Sequence, residues 1–490
     1  MGELRPTVRV IPLAEVCRAL HVPSKPGNVS GLTLDSRQVQ AGDLYAALPG
    51  EHAHGAQFAR QAIAAGAVAI VTDLPGAQIV GAVDVPIITV PHPREALGVL
   101  AQRIYNGPRP RLIGVTGTNG KTTTTHCIEA ALRAVGTPTA VIGTLGVRFE
   151  SLHHYSGRTT PEAPALHAAL QAVAEAGASM ASMEVSSHAL ALHRVDGLRF
   201  DVGVFTGLSQ DHLDFHITME DYFQAKARLF DPQVSARAVV NIDDDWGRRL
   251  VGMTAIETLT YALNVDADWT ARDITARTDG MTEFTAVGPH GEVPVLLSMP
   301  GGFNVANALA ALATCATTGF DVDEAARGLA NVRVPGRFES VPNARGIAAF
   351  VDYAHTPDAV ARVLDVARQA VPGRVIAVLG CGGDRDPLKR PLMGAAAVSH
   401  ADLVIVTDDN PRSEDPAGIR AAVLRGTNSS ATVEEIGDRA AAISRAVELA
   451  KAGDCIMVLG KGHETGQEIA GVVHPFDDRA VLAHAVAEGA

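Results

Sequence analysis

Short apolar runs recur along the chain, separated by Ala-rich stretches of helical character. LIGVTG (112–117), RAVVNID (237–243), RVIAVLGCGG (374–383), ADLVIVTDDN (401–410) and DCIMVLGKG (454–462) are the clearest. Such runs predict strands, and strands alternating with helices predict parallel sheets covered by helices. The expected fold class is α/β. Several runs end in Gly, Asp or Asn, and open α/β sheets bind ligands beyond the carboxyl ends of their strands. Asn106-Gly-Pro-Arg-Pro-Arg111 is too Pro-rich for regular structure, and Val334-Pro-Gly-Arg337 separates a long helical region from a new strand, AAFVDYAH. These breaks divide the chain into expected domains 1–108, 109–335 and 336–490. No repeat or low-complexity tract interrupts them.

A length of 490 residues agrees with about three domains. With 47% hydrophobic and 19% charged residues the chain is globular, not disordered. Its net charge of −13 argues against a broad nucleic-acid or anionic-membrane surface, although a local phosphate site remains compatible. The five cysteines lie far apart without a CxxC pair, which fits a reducing compartment better than a disulfide framework or zinc knuckle. The N-terminus lacks the apolar core of a signal peptide, and the most apolar stretch, Ala62 to Val71, is far short of the about 18 residues a membrane span needs. A soluble cytoplasmic protein without membrane insertion is expected.

The strongest local signal is GVTGTNGKTTT (114–124), an apolar strand entering a glycine turn and then a helix, THCIEAALRAV. Glycines admit backbone N–H groups to phosphate oxygens, and the helix N-terminus favours negative charge. Lys121 supplies a point charge for the terminal phosphates, and the Thr122 hydroxyl suits Mg²⁺. Strict Walker spacing would place glycine at 115, where the chain has Val115, so the loop is a variant with Gly117. This predicts a nucleotide without fixing a reaction. A second strand, SMASMEV, delivers Glu184, an acid suited to a second metal contact. His212 and His216 mimic a zinc pair but lack the rest of an HExxH set, and Asp243-Asp244-Asp245 lacks the Gly and Glu of a calcium loop. GCGG (380–383) fails as a dinucleotide fingerprint because Arg385 occupies the third glycine position.

Taken together, the motifs resemble the Mur ligase family, ATP-dependent amide-bond-forming enzymes of cell-wall synthesis. The resemblance runs nearly end to end: TLDSR (33–37), GVTGTNGKTTT, TTP (159–161), MEVSSHAL (183–190), HLDFH (212–216), YFQAKARLF (222–230), GGFNVANALAA (301–311), VPGRFE (334–339), VDYAHTPDA (351–359), GCGGDRDPLKRPLMG (380–394), DDNPR (408–412) and GKGHE (460–464). It implies three domains: a small uridine-nucleotide-binding α/β unit, a central P-loop ATPase-type parallel sheet and a C-terminal Rossmann-like unit. The implied reaction activates a carboxylate with the γ-phosphate of ATP, and an amine then displaces phosphate. Gly117, Thr118, Asn119, Gly120, Lys121, Thr122 and Thr123 would hold the phosphates, with Asn304, Asn307, Arg337 and Asp352 also contacting ATP. Thr122 and Glu184 would bind one Mg²⁺, and His212 would lie near a second. Lys226 corresponds to a lysine that the family carries as a CO₂-derived carbamate, which forms on the neutral amine. Leu34 and Ser36 match uridine-diphosphate contacts, and Thr159, Thr160, Ser186 and Arg194 match positions binding the muramoyl dipeptide. The asparagine that the family places before the two threonines is Arg158 here.

The closest likeness is to the member adding the third peptide residue, with the UDP-muramoyl dipeptide as acceptor. Members adding meso-diaminopimelate carry DNPR, as in Asp409, Asn410, Pro411 and Arg412, and lysine-adding members lack that arginine. Diaminopimelate differs from lysine by one carboxylate, which an Arg fork holds bidentately. Arg385, Gly460 and Glu464 match other contacts to this amino acid. A lysine-adding ligase, a folylpolyglutamate-type ligase and a P-loop ATPase without ligase chemistry are the competing readings. A monomer is expected, with small-molecule partners and no nucleic acid.

Overall fold

In the computed structural model, which describes residues 4–50, 53–277, 280–427 and 432–488, each anticipated apolar run forms a strand. Strands Arg111–Thr116, Ser235–Asn241, Val375–Leu379, Leu403–Val406 and Cys455–Leu459 all lie inside sheets. VIAVL and CIMVL are buried at every position, as strands covered on both faces must be.

The central sheet has eight strands. Six are parallel, in the order Thr139–Gly143, Met180–Glu184, Arg111–Thr116, Phe200–Phe205, Ser235–Asn241 and Glu257–Tyr261. Gly146–Phe149 and Leu152–His154 extend one edge as a hairpin. An antiparallel sheet, Thr270–Ala276, Thr282–Gly288 and Gly291–Leu297, leads to helix Gly302–Thr318. That helix packs on helix Lys121–Ala134, and its Leu309 and Leu312 are fully buried. Each such leucine contributes about 1.5–3 kcal/mol over an exposed one.

Before this sheet, Gly31–Thr33, Asp43–Ala46, Ala69–Thr72 and Ile87–Thr89 form a parallel four-stranded sheet. Ala62 to Val71 is part of it, split between helix Ala59–Ala64 and strand Ala69–Thr72. Helix Pro93–Ile104 carries the sheet onto helix Ala163–Glu175. After the central sheet, five parallel strands, Ala348–Asp352, Cys455–Leu459, Val375–Leu379, Leu403–Val406 and Thr432–Glu435, make a Rossmann-like layer edged by antiparallel Glu339–Ser340. The two Pro-containing breaks lie in irregular chain between these sheets. All five cysteines are free and buried, and among the described residues no helix is long and apolar enough to cross a membrane.

Candidate active site

Strand Arg111–Thr116 runs into the phosphate loop, whose turn depends on two glycines. Gly117 has φ +147°, and a Cβ there would stand 2.0 Å from Thr206 Oγ1. Gly120 has φ +86° and caps helix Lys121–Ala134, and its Cβ would stand 2.6 Å from Asn307 Oδ1. Lys121 Nζ folds back to donate to the carbonyls of Gly117 (2.9 Å) and Thr118 (2.8 Å). Burial holds this amine below its ordinary range, with Arg337 lowering it further and Glu184 and Asp211 opposing.

Glu184, at the end of strand Met180–Glu184, is buried against neutral donors: Thr144 N (2.8 Å) and Thr144 Oγ1 (3.1 Å). Among the described residues it has no ion-pair partner. A buried carboxylate with only neutral donors fits a cation shared with phosphate oxygens, as Mg²⁺ prefers. No group of three or more His, Cys, Asp or Glu side chains is gathered for a metal among the described residues, so the protein alone supplies few ligands. His212 and His216, which only mimic a zinc pair in spacing, are not part of any such group.

Lys226 is 1% exposed, lies over the Tyr222 ring and donates to Gly117 O at 2.7 Å. Burial first, then Lys121, hold it well below the ordinary lysine range, against a smaller opposing pull from Asp211. Burial of this kind favours the neutral amine that carbamylation requires. Close by, His188 packs edge-on to His212 and His216, with ring centroids 4.8 and 5.5 Å away. Burial lowers His212 to about 3 and His188 to about 4.

Thr160 is fully buried, its hydroxyl spent on Glu184 O (2.8 Å) and accepting from Ser186 N (3.1 Å). Thr159 instead meets Thr144 Oγ1 at 3.2 Å, one step from the Glu184 carboxylate. Ser186 Oγ caps helix Ser187–Ala191 by accepting from Ala189 N. Arg194 donates to Thr160 O and pairs with Glu162.

The C-terminal layer closes over this loop. Arg337 donates to Thr122 Oγ1 (3.1 Å) and stacks over Tyr353 at 4.4 Å. Asn119 reaches Thr356 and Asp358, each at 3.3 Å. Asp211 is the deepest junction: Lys389 Nζ lies at 2.9 Å, with His212 at 3.4 Å and His355 at 3.6 Å. Burial would raise its carboxyl, but His212, His355 and Lys389 outweigh burial and hold it well below the usual range.

Between loop and roof lies a cavity of about 710 Å³ lined by Asn304, Asn307, Arg337, Asp352, Tyr353 and Phe303. Asp352 accepts from Phe338 N (2.6 Å) and Ala354 N (2.7 Å). Asn304 also donates to Pro300 O, so it both braces its helix and faces the cavity. Two of the three consecutive acids have structural work: Asp244 caps helix Asp245–Met253, and Asp243 accepts from the backbone of Leu263 and Asn264.

A second cavity of about 680 Å³ holds Leu34, Ser36, Arg94, Tyr155, Arg158 and Glu162. Beyond it, the loops after strands Leu403–Val406 and Cys455–Leu459 bring Asp409, Asn410, Gly460 and Glu464 together. Asn410 Nδ2 donates to Glu464 Oε2 at 2.8 Å. Lys461, fully buried, spends its ammonium on Asn410 Oδ1, Glu464 Oε2 and Gly466 O. Gly460 has φ +112°, and a Cβ there would stand 2.5 Å from Asp409 Oδ2. Arg412 donates to Gly383 O (2.6 Å) and lies 3.5 Å from Glu468. A Cβ on Gly382 would touch Arg412 Nη1 at 2.9 Å and lie 3.9 Å from Arg385 Cγ, so two neighbouring loops bring both arginines beside Gly382. Arg385 acts electrostatically on His188, and Glu464 on Tyr155, across the interface. Arg439 ties this region from behind, gripping Asp478 through two 2.7 Å bonds and donating to Leu459 O and Asp408 O.

His212, Phe338, Asp384 and Arg412 are non-glycine residues with positive φ. Strain of this kind persists where surrounding structure enforces it, often at functional sites.

Three family models match in chain order: the Mur ligase family catalytic domain over 28–105, the Mur ligase middle domain over 115–315 and the Mur ligase glutamate ligase domain over 336–462. A UDP-N-acetylmuramoyl-L-alanyl-D-glutamate--2,6-diaminopimelate ligase from Streptomyces coelicolor is 48% identical over 499 residues, covering 99% of this chain and 98% of the relative. A ligase of the same name from Corynebacterium efficiens is 46% identical, covering 97% and 94%. A solved structure of a ligase bearing that name is 34% identical and matches with TM-score 0.68, covering 98% of this chain and 99% of that one. The family models match in chain order and the relatives match along nearly the whole length, so the chain belongs to the Mur ligase family.

Proposed function

We propose that this chain is an ATP-dependent ligase that joins UDP-N-acetylmuramoyl-L-alanyl-D-glutamate to meso-2,6-diaminopimelate in peptidoglycan precursor synthesis, releasing ADP and phosphate. A carboxylate oxygen of the dipeptide attacks the γ-phosphorus, and the bond to the β–γ bridging oxygen breaks, giving an acyl phosphate and ADP. The amine of diaminopimelate then attacks the acyl carbon. Phosphate departs, the nitrogen loses a proton, and the amide remains. Direct condensation fails because a carboxylate is a poor electrophile, so the protein's task is positioning and charge neutralisation.

Backbone amides of Gly117 to Thr123 and the Lys121 ammonium cradle the phosphates. Asn304, Asn307, Arg337 and Asp352 hold the nucleotide from the roof. Thr122 and Glu184 are the residues that would hold Mg²⁺, with His212 beside a second ion and Lys226, as its carbamate, adding oxygen ligands. Bound there, Mg²⁺ neutralises charge on the transferring phosphoryl group. Leu34 and Ser36 take the uridine end, and Thr159, Ser186 and Arg194 the dipeptide, with Thr160 shaping the wall. Arg412 and Arg385 receive the distal carboxylate of diaminopimelate, and Glu464, held by Asn410 and Lys461, its ammonium. The chain would work as a cytoplasmic monomer.

One observation carries this reading over that of a simple ATPase. The phosphate loop and the loops carrying Arg412 and Glu464 follow strands of two sheets joined by Arg337–Thr122 and Lys389–Asp211 contacts. A lysine-adding enzyme has no second substrate carboxylate to offer the Arg385 and Arg412 side chains beside Gly382, which disfavours that alternative. The four-stranded N-terminal sheet with its own cavity argues against a folate acceptor. The test is ADP release across an amino-acid panel, with and without the muramoyl dipeptide. Diaminopimelate is expected to support the fastest turnover, and only with the dipeptide present. Faster turnover with lysine, activity on a folate acceptor, or ATP consumption without either substrate would overturn the proposal.

A further inference from the structure

Glu162 occupies the N-cap position of helix Ala163–Glu175, yet its carboxylate makes no capping bond. It turns instead to three arginines from three parts of the chain. Arg94 Nη1, from helix Pro93–Ile104, lies 3.2 Å from Oε2, Arg194 Nε lies 3.0 Å from Oε1, and Arg158 Nη1 lies 3.8 Å from Oε1. One carboxylate cannot neutralise three guanidinium groups, so this corner carries a surplus of positive charge within a chain of net charge −13. Burial lowers Arg194 most and Glu162 opposes this, while Arg158 and Arg94 lower it further, as crowded like charges should. Exposure rises outward: the Arg194 side chain is 8% exposed, Arg94 33% and Arg158 54%. Arg94, Arg158 and Glu162 line the second cavity together with Leu34 and Ser36.

We infer that Arg94 and Arg158 form the seat for the diphosphate of the nucleotide-sugar substrate, with Glu162 acting as an internal counter-ion that holds Arg94 and Arg194 in place before the ligand arrives. The inference rests on the acceptor substrate proposed above. Two features select a diphosphate over a carboxylate. The surplus charge matches a dianion. The arginines also share one cavity with Leu34 and Ser36, and Arg158 directly precedes Thr159, whose hydroxyl leads through Thr144 to Glu184. Arg158 is loosely paired and free to swing toward phosphate oxygens, whereas Arg194 is locked into the wall.

The test is calorimetric binding of UDP, UMP and uridine to the full chain and to Arg158→Asn, Arg94→Met and Glu162→Gln. Charge-assisted bonds of this kind predict about a tenfold or greater loss of UDP affinity in the arginine variants, with uridine affinity unchanged and the UDP-over-UMP preference shrinking to match. Glu162→Gln, which removes the internal counter-charge, is expected to steepen the salt dependence of UDP binding, and an unchanged slope would remove Glu162 from the seat. ATP-analogue binding and thermal midpoint report whether each variant is folded. Equal losses for uridine and UDP would overturn the inference, as would unchanged UDP binding beside a raised KM for the dipeptide substrate, which would assign the arginines to its carboxylate. UDP binding needs no ligation, so these outcomes stay separate from failure of the amino-acid panel.

Discussion

Replacing Lys389 with methionine asks whether charge holds the C-terminal domain closed over the phosphate loop. Lys389 Nζ and Asp211 Oδ1 are 2.9 Å apart, with side chains 8% and 5% exposed, so the pair is shielded from solvent. Methionine keeps much of the aliphatic stem but leaves Asp211 with only His212 and His355, at 3.4 and 3.6 Å. Removing one partner of a buried pair costs about 3–5 kcal/mol, mostly because the remaining charge is stranded. Asp211 lies in a loop after strand Phe200–Phe205 and Lys389 opens helix Lys389–His400 of the C-terminal layer, so the cost falls on the closed arrangement and not on the folding of either layer. At about 1.4 kcal/mol per tenfold, closure weakens by roughly two to three and a half decades. We expect kcat/KM for ATP to fall about a hundredfold or more. Small-angle scattering with a non-hydrolysable ATP analogue should give a larger radius of gyration than wild type, while the thermal midpoint moves little. A companion Asp211→Asn/Lys389→Met double variant should lose less than the sum of the single losses, because neither charge is then stranded. Wild-type kcat/KM and scattering in Lys389→Met, or strictly additive losses in the double variant, would refute the reasoning.

Gly117→Ala forces a Cβ to within 2.0 Å of Thr206 Oγ1 at a φ that L-residues avoid, and should abolish ATP-analogue binding measured by calorimetry. Lys226→Ala should be inactive in ADP release and partly restored by short carboxylic acids, and a fully active variant would remove the carbamate from the proposal. Arg412→Ala should raise KM for diaminopimelate at least tenfold while leaving nucleotide-sugar affinity within about twofold, as loss of a charged hydrogen bond predicts. Glu414 is held below its ordinary value of 4.5 first by Arg390, and it braces the Arg385 loop through Asp384 N. A depressed acid contributes stability above its unfolded value and loses it as pH falls through the folded one. The thermal-midpoint advantage of wild type over Glu414→Gln should therefore be full at neutral pH and shrink below pH 4.5.

Much of this molecule can be read from residue order alone, for identifiable reasons. A run such as CIMVL has no polar face to expose, so it lies inside a sheet whatever surrounds it. The glycine spacing around Lys121 leaves few options for the turn. The hairpin Gly146–Phe149/Leu152–His154 and the strands Thr270–Ala276, Thr282–Gly288 and Gly291–Leu297 mix polar with apolar positions, and so left a weaker mark. Within the site, residues quoted in motifs lie close together, but their roles divide in ways spacing cannot reveal. Thr159 and Thr160 are neighbours in sequence, yet the second is sealed inside the wall. Asp211, His355 and Lys389 converge only after two sheets close on each other, and Arg94 meets Glu162 only because two helices from separate layers pack together. Lys461 is an ordinary lysine in the sequence and a fully enclosed three-way brace in the fold.

The Arg439–Asp478 clasp sets an order of completion on the molecule. Arg439 fastens the backbone at Asp408 and Leu459, the roots of the Arg412 and Glu464 loops, and its own guanidinium is paired by the first residue of helix Asp478–Glu488. A polypeptide released before residue 478 would carry a finished triphosphate grip beside Arg412 and Glu464 loops whose foundation has lost its buried ion-pair partner. Such a fragment would still seize ATP but could not select its second reactant, so fidelity in this enzyme depends on a helix that follows the last strand of the C-terminal layer.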